Sequence, residues 1–293
     1  MSQSRNRYSV RNLKYIVVHD GIFHTDDVLT VAIVQLIRLF LGLALLEVIR
    51  TSKIKSDWTI ENGYLVADVG LGEFDHHFPE ADKLKRPNGI AYAAAGLVFA
   101  EFWPELGLTE EEYQMIDRSY VEPLDLHDNT FTGNQLALSI KALNVGGNNP
   151  EESMKAFQIA VNIMMTFFTA QIQRAKDASK TKEIAEAAVQ HIDGITIYLN
   201  EYAPIGAYQC VKESKACFIG SPSARGGYQI VAIRTDEGSK QLFPEAYRGK
   251  PDKSIGMTFC HSAGFMACFE TKEQAKNFMD WALKKGLFIL INQ

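Results

Sequence analysis

Cysteine is scarce in this sequence of 293 residues: there are four, Cys210, Cys217, Cys260 and Cys268, all in the last third and none in a CxxC pair. Their spacing fits no common zinc finger, so they read as free thiols in a reducing compartment. A basic excess is missing too. The 30 Lys and Arg against 35 Asp and Glu leave a formal net charge of −5. That excludes a protein coating nucleic acid through charge alone, though not a nuclease with a local basic groove. Repeats, low-complexity segments and a GxSxG elbow are likewise absent. The longest apolar run, "VLTVAIVQLIRLFLGLALLEVI" (28–49), carries Gln35 and Arg38 near its middle and is broken by Gly42. A central Arg is costly in hydrocarbon, so the run predicts a buried helix, a turn and a strand instead of a membrane span. Acids are lacking before Asp20, and the Arg- and Ser-rich "MSQSRNRYSVRNLK" faintly resembles a transit peptide. With so few residues before the first strand, the expectation is a cytoplasmic protein.

What is present is a soluble globular composition, 46% hydrophobic and 22% charged, with enough chain for one large core or two ordinary ones. The runs "KYIVVHD" (14–20), "ALLEVIR" (44–50) and "GYLVADVG" (63–70) read as strands covered on both faces. Helices are expected from Val28 to Phe40, behind Asp26 and Asp27, and over the small-residue stretch "GIAYAAAGLVFAEF" (89–102). Strands alternating with helices predict a parallel α/β sheet. A further helix should enter at Thr109 and kink or end near Pro123, and residues 151–190 read as mainly helical and increasingly polar, a bridge between domains. From Ile192 the pattern turns to short strands and one late amphipathic helix, "TKEQAKNFMDWALKKG". The expected layout is an α/β domain over 1–190 and a smaller α+β domain over 191–293.

Chemistry-bearing residues gather at strand ends. His19, His24 and Asp26 follow the first strand, Asp68 ends the "YLVAD" strand, and "FDHHF" adds Asp75, His76 and His77. Loops beyond the carboxyl ends of parallel strands converge on one crevice, so clusters far apart in sequence can meet. One His alone is most simply a satisfied core or surface residue. Four of the seven histidines in two such loops, among carboxylates, point to divalent-cation ligands, because so many polar groups cannot be buried without partners.

"HDGIFHTDD", "VADVG", "FDHH" and "VEPLDLHDN", with "LFPEAYRG" and "FCHSAGF" near the C-terminus, resemble the melanocyte-proliferating-gene-one family. That family is a branch of the DHH phosphoesterase superfamily, often labelled metal-dependent protein hydrolase. The resemblance implies a DHH-type catalytic domain, then a substrate-binding domain, and two divalent cations, manganese first with magnesium as the alternative. It implies His19 and His24 on one metal, Asp26 and His76 on the other, and Asp68 bridging both. Asp75 would orient the histidines and His77 would face the scissile phosphate. Asp125 and Asp128 both match the later D-x-x-D-N motif, with Asp128 slightly preferred as the last ligand.

The loop Arg225, Gly226 and Gly227 suits a close backbone approach to phosphate, and Arg248 and His261 match the family's motifs. An ordinary turn before a strand is the alternative reading of the first three. The sequence departs from the family at Asp27, commonly Glu, at Thr130, commonly Gly, and at Met266, Ala267 and Cys268, where a glycine pair is usual. The implied function is an exonuclease on short RNA or DNA. A phosphatase for pyrophosphate or cyclic dinucleotides and an inactive metal-binding regulatory module are the alternatives. Protein hydrolysis finds no support in these motifs. The expected partner is nucleic acid or a nucleotide, not a membrane, and the oligomeric state stays open, a homodimer among the options.

Overall fold

The run before His19 forms strand β1 (Tyr15–Val18) in the computed structural model, which describes residues 7–77, 84–145 and 149–288. It lies between β2 (Glu47–Arg50) and β3 (Tyr64–Val66), and both neighbours run parallel to it, Val17 pairing with Ile49 and with Val66. Because β1 and β3 start level, with Tyr15 opposite Tyr64, their carboxyl ends open side by side. That register places the His19 loop next to the Asp68 loop.

Helix α1 (Thr25–Phe40) is buried from Thr25 through Ile37, as expected of an apolar helix under a sheet. The polar residues that argued against a membrane span close its turn into β2. The Gln35 amide donates to Leu46 O at 2.8 Å and accepts from Leu46 N at 2.9 Å, and Arg38 donates to Ala44 O at 2.7 Å. Gly42 supplies the left-handed residue (φ 68°) after the helix. No helix among the described residues is long and apolar enough to cross a membrane.

Helix α2 (Ala94–Phe102) packs on α1. Helix α3 (Glu110–Ile116) starts from a reciprocal cap, Thr109 Oγ1 accepting from Glu112 N at 3.2 Å and Glu112 Oε2 from Thr109 N at 2.8 Å. The expected kink is a π-helical turn, Asp117–Val121, leading into α4 (Glu122–Thr130) with Pro123 in its first turn. Helices α5 (Gln135–Lys141) and α6 (Pro150–Ala188) follow, and Phe23, Phe99, Phe102, Phe157 and Phe168 are fully buried in this core. The chain divides into two compact units, Met1–Lys176 and Asp177–Gln293, so the division falls inside α6, whereas the change of sequence pattern lies near 190.

The second unit holds β4 (Ile192–Asp193), β5 (Thr196–Tyr198), α7 (Gln209–Glu213), β6 (Phe218–Pro222), β7 (Tyr228–Ala232), β8 (Arg234–Thr235), β9 (Gly238–Ser239), β10 (Met257–Cys260), β11 (Met266–Phe269) and α8 (Lys272–Lys284). Six of these strands form a sheet in the order β10-β11-β7-β6-β5-β4, antiparallel apart from the β5–β6 pair. Ala275, Phe278, Met279 and Ala282 of α8 are buried in the core beneath it. Met266, Ala267 and Cys268, expected from the family resemblance to be a departure, are regular strand, paired with Val231, Ile230 and Gln229 of β7. The four cysteines are free thiols.

Candidate metal centre

His19 leaves β1 with its ring fixed by its own loop: Nδ1 donates to Asp20 O at 2.8 Å. That bond turns Nε2 inward, 3.3 Å from Asp27 Oδ2 and 3.3 Å from Asp68 Oδ2. Asp26 and Asp27 enter from the first turn of α1, 1% and 0% exposed. Asp27 Oδ1 accepts from His24 N at 3.0 Å, which leaves its second oxygen for the centre. Asp68 follows β3 in the left-handed region (φ 57°), a conformation that non-glycine residues seldom adopt outside special sites. This turn lets the chain leave the sheet with the carboxylate still buried.

Asp75 closes the loop after Asp68, accepting from Leu71 N at 2.7 Å and from His77 N and Nδ1 at 3.0 and 2.8 Å. Both its oxygens are thereby used, and His77 is the histidine it orients. His76 is positioned from α4 instead. Asn129 donates through Nδ2 to Asp125 O at 2.9 Å, so its Oδ1 accepts from His76 Nδ1 at 3.0 Å. His76 Nε2 then lies 3.3 Å from Asp68 Oδ1, 3.3 Å from Asp128 Oδ2 and 3.6 Å from Asp26 Oδ2.

Three triads could each hold an ion, with ligand atoms within 4.8 Å of one another: His19, Asp27 and Asp68; His24, Asp26 and Asp128; Asp68, His76 and His77. His24 thus groups with Asp26 and Asp128, not with His19, and Asp27 joins a set from which the family resemblance omitted it. Asp128 is among these residues and Asp125 is not. Asp125 is fully buried behind them, paired with Arg86 Nη2 at 2.8 Å and accepting from Gly96 N at 3.2 Å. Arg86 also grips Asp117 through Nε and Nη2 at 2.7 and 2.6 Å and lies over the Tyr92 ring.

The electrostatics fit a cation. His19 Nε2, His76 Nε2, both oxygens of Asp26, Asp27 Oδ2 and Asp68 Oδ1 are buried without a hydrogen-bond partner among the described residues, although ion-pair distances join several of them. Buried polar atoms normally find partners, and carboxylates with imidazoles are ligands of divalent ions. Burial disfavours a charged His19, but Asp68 and Asp27 outweigh it and raise its pKa to about 10. The same contest, won by Asp26 and Asp68, raises His76 to about 11. Burial, then Asp26, pushes Asp128 up to about 8, and burial raises Asp27. Asp68 is pulled down to about 2 against burial, by His19 and His76.

A cleft of about 300 Å³ opens on the centre, lined by His24, His76, His77, Asp128, Phe131 and Lys141 among others. Thr130 turns its hydroxyl back to Leu126 O at 2.6 Å.

The expected substrate residues lie in the second unit. Arg225, Gly226 and Gly227 make the turn between β6 and β7, with Ser223 N donating to Gly227 O at 3.1 Å. Gly227 is left-handed (φ 72°), and a Cβ there would fall 2.3 Å from Phe269 O. The turn requirement alone therefore accounts for a glycine at 227, while Arg225 lines a groove of about 740 Å³ with Tyr202 and Phe259. Arg248 Nε donates to Phe243 O at 2.7 Å and packs on Gly264, and His261 Nδ1 accepts from Ala263 N at 3.0 Å.

Arg86, Asp117, Lys141 and Phe131 carry no mark in the sequence that singles them out, and Asn129 is not among the expected site residues. For Asn129 a signal existed, its place in D-x-x-D-N.

Among known proteins, the chain is 23% identical to the MYG1 protein C694.04c of Schizosaccharomyces pombe, over 91% of this chain and 96% of that protein. It is also 23% identical to the MYG1 protein YER156C of Saccharomyces cerevisiae, over 93% and 96% respectively. Crystal structures of RecJ from Thermus thermophilus, in complex with Mn2+ and with Mg2+, align at 14% and 15% identity and a TM-score of 0.28. The alignment covers 95% of this chain but only about half of RecJ, 52% and 50%, and a TM-score this low assigns no shared fold. The model of the MYG1_exonuc family, described as "Uncharacterised protein family (UPF0160)", matches residues 15–283, and the chain belongs to that family.

Proposed function

We propose that the chain is a divalent-metal-dependent phosphoesterase of the DHH type, and within that class an exonuclease on short RNA or DNA strands. The observation that carries the reading is the set of buried carboxylate and imidazole atoms, drawn from the loops after β1 and β3 and the first turn of α1, that face one another without hydrogen bonds, with Asp128 of α4 beside them. His19, Asp27 and Asp68 would hold one cation, and His24, Asp26 and Asp128 another, with His76 in reach of both sets. Manganese or magnesium suits the oxygen-rich donors. When bound, such ions polarise a phosphoryl oxygen and acidify water at neutral pH.

The chain's own groups supply position. Asp75 holds His77 at Nδ1, so Nε2 is the ring atom left to meet a phosphate or leaving oxygen. Lys141 puts a positive charge on the same cleft. Arg225, Gly226, Gly227, Arg248 and His261 are read as contacts to the rest of the substrate. No Ser or Cys nucleophile is needed, and the "exonuc" in the family's name points the same way.

The second reading is a small-molecule phosphatase for pyrophosphate or cyclic dinucleotides. What favours it is the cleft volume of about 300 Å³, at the low end for ligand pockets. Metal-loaded protein assayed on end-labelled RNA and DNA oligonucleotides, dinucleotides, cyclic dinucleotides and pyrophosphate separates the two: the exonuclease removes single nucleotides from oligomers, and the phosphatase spares them. Turnover of none with manganese, magnesium or zinc would leave only an inactive metal-binding module.

A further inference from the structure

The last turn of α4 does three things in succession. Asp128 faces the metal cluster, Asn129 fixes His76, and Phe131, just beyond the helix, lines the same cleft with 82% of its surface exposed. Phe131 is also left-handed (φ 55°), where helix ends usually place Gly or Asn because a Cβ is strained there. The conformation is held from both sides. Phe131 N donates to His127 O at 2.7 Å, His127 Nδ1 donates to Thr132 O, and the Thr130 and Thr132 hydroxyls bond each other at 3.1 Å. A large ring is thus presented to solvent, on a braced turn, at the mouth of the cleft that the metal cluster floors.

We infer that Phe131 is a base-stacking residue: it receives the nucleobase of the nucleotide whose phosphate enters the cluster. This rests on the phosphoesterase reading and narrows its substrate to one carrying a planar heterocycle, which excludes pyrophosphate as the preferred substrate. Stacking needs a fixed, exposed aromatic face and no hydrogen-bond code, so recognition by Phe131 tolerates every base. Lys141, on the same cleft, meets the accompanying negative charge.

The test pairs binding with turnover, using manganese-loaded wild type, Phe131→Ala and Phe131→Trp. Calorimetry compares adenosine 5′-monophosphate with ribose 5-phosphate, and kinetics compares an oligonucleotide with the same strand ending in an abasic unit. Phe131→Ala should weaken the base-containing ligand and raise KM for the intact strand by roughly five- to a hundredfold, the usual range for losing one stacking contact. It should leave ribose 5-phosphate binding, the abasic strand and kcat within about threefold, and Phe131→Trp should restore base binding. Equal losses for intact and abasic ligands, or no loss for either, overturn the inference while leaving the phosphoesterase reading intact. Conversely, Phe131-dependent binding of the nucleotide with no hydrolysis of any phosphoester keeps the inference and removes that reading.

Discussion

Asp68 occupies the left-handed region at φ 57°, which Asn enters as readily as Asp. Asp68→Asn should therefore keep the fold while removing the one carboxylate shared by two of the metal-capable triads. The expected result is loss of detectable phosphodiester turnover with an unchanged circular dichroism spectrum. Asp75 hydrogen-bonds only His77 among the cluster residues, and its other oxygen serves the loop through Leu71 N. Asp75→Asn should cost about 10–100-fold in kcat, typical for a residue that orients another. Equal losses in the two variants would count against the division of labour between them. Which of Asp125 and Asp128 faces the cluster was not legible in the sequence, because residues three apart on a helix share a face. The choice is made by Arg86, distant in sequence, which draws Asp125 away, and nothing in "VEPLDLHDN" announces it.

At the scale of elements, α2 and α4 meet through that same ion cluster. A Cβ at Gly96 would lie 1.9 Å from Asp125 Oδ2 and 2.8 Å from the Tyr92 ring, so the buried carboxylate requires glycine in α2. Gly96→Ala should lose about 1–3 kcal/mol by overpacking. Arg86→Ala, which strands Asp117 and Asp125 without their cation, should lose about 3–5 kcal/mol. Urea denaturation measures both, and a Gly96→Ala variant as stable as wild type would mean that α2 and α4 separate easily. The placement of β1 and β3 was far more legible: their apolar runs stop just short of His19 and Asp68, and parallel neighbours open their loops together. The π-helical turn, by contrast, has no clear mark in "IDRSYVEP" beyond the proline.

For the whole molecule, the proposed metal ions would compete with protons for one set of ligands, which fixes the sign of a pH dependence. Without metal, the carboxylates hold His19 and His76 protonated up to about 10 and 11, and burial holds Asp128 protonated up to about 8. In the unfolded chain those protons leave near about 6.5 for His and 3.9 for Asp. The fold therefore binds more protons than the unfolded chain at every pH between, and metal-free stability should fall as pH rises through that window. Asp68, lowered to about 2, acts in the opposite sense only in strong acid. A cation must displace the same protons, so its affinity should rise with pH, and binding should release protons at pH 7. The melting-temperature gap between manganese-loaded and chelator-treated protein should consequently widen from pH 6 to pH 8. At free metal about 100 times its dissociation constant, one site adds roughly 2.7 kcal/mol. Since every residue of the three triads belongs to the first unit, hydrogen exchange should localise the metal's protection to the loops after β1 and β3, the start of α1 and the end of α4. The six-stranded sheet should exchange alike with and without metal. A gap that narrows with pH, or metal-dependent protection confined to that sheet, would place the cation elsewhere in the chain.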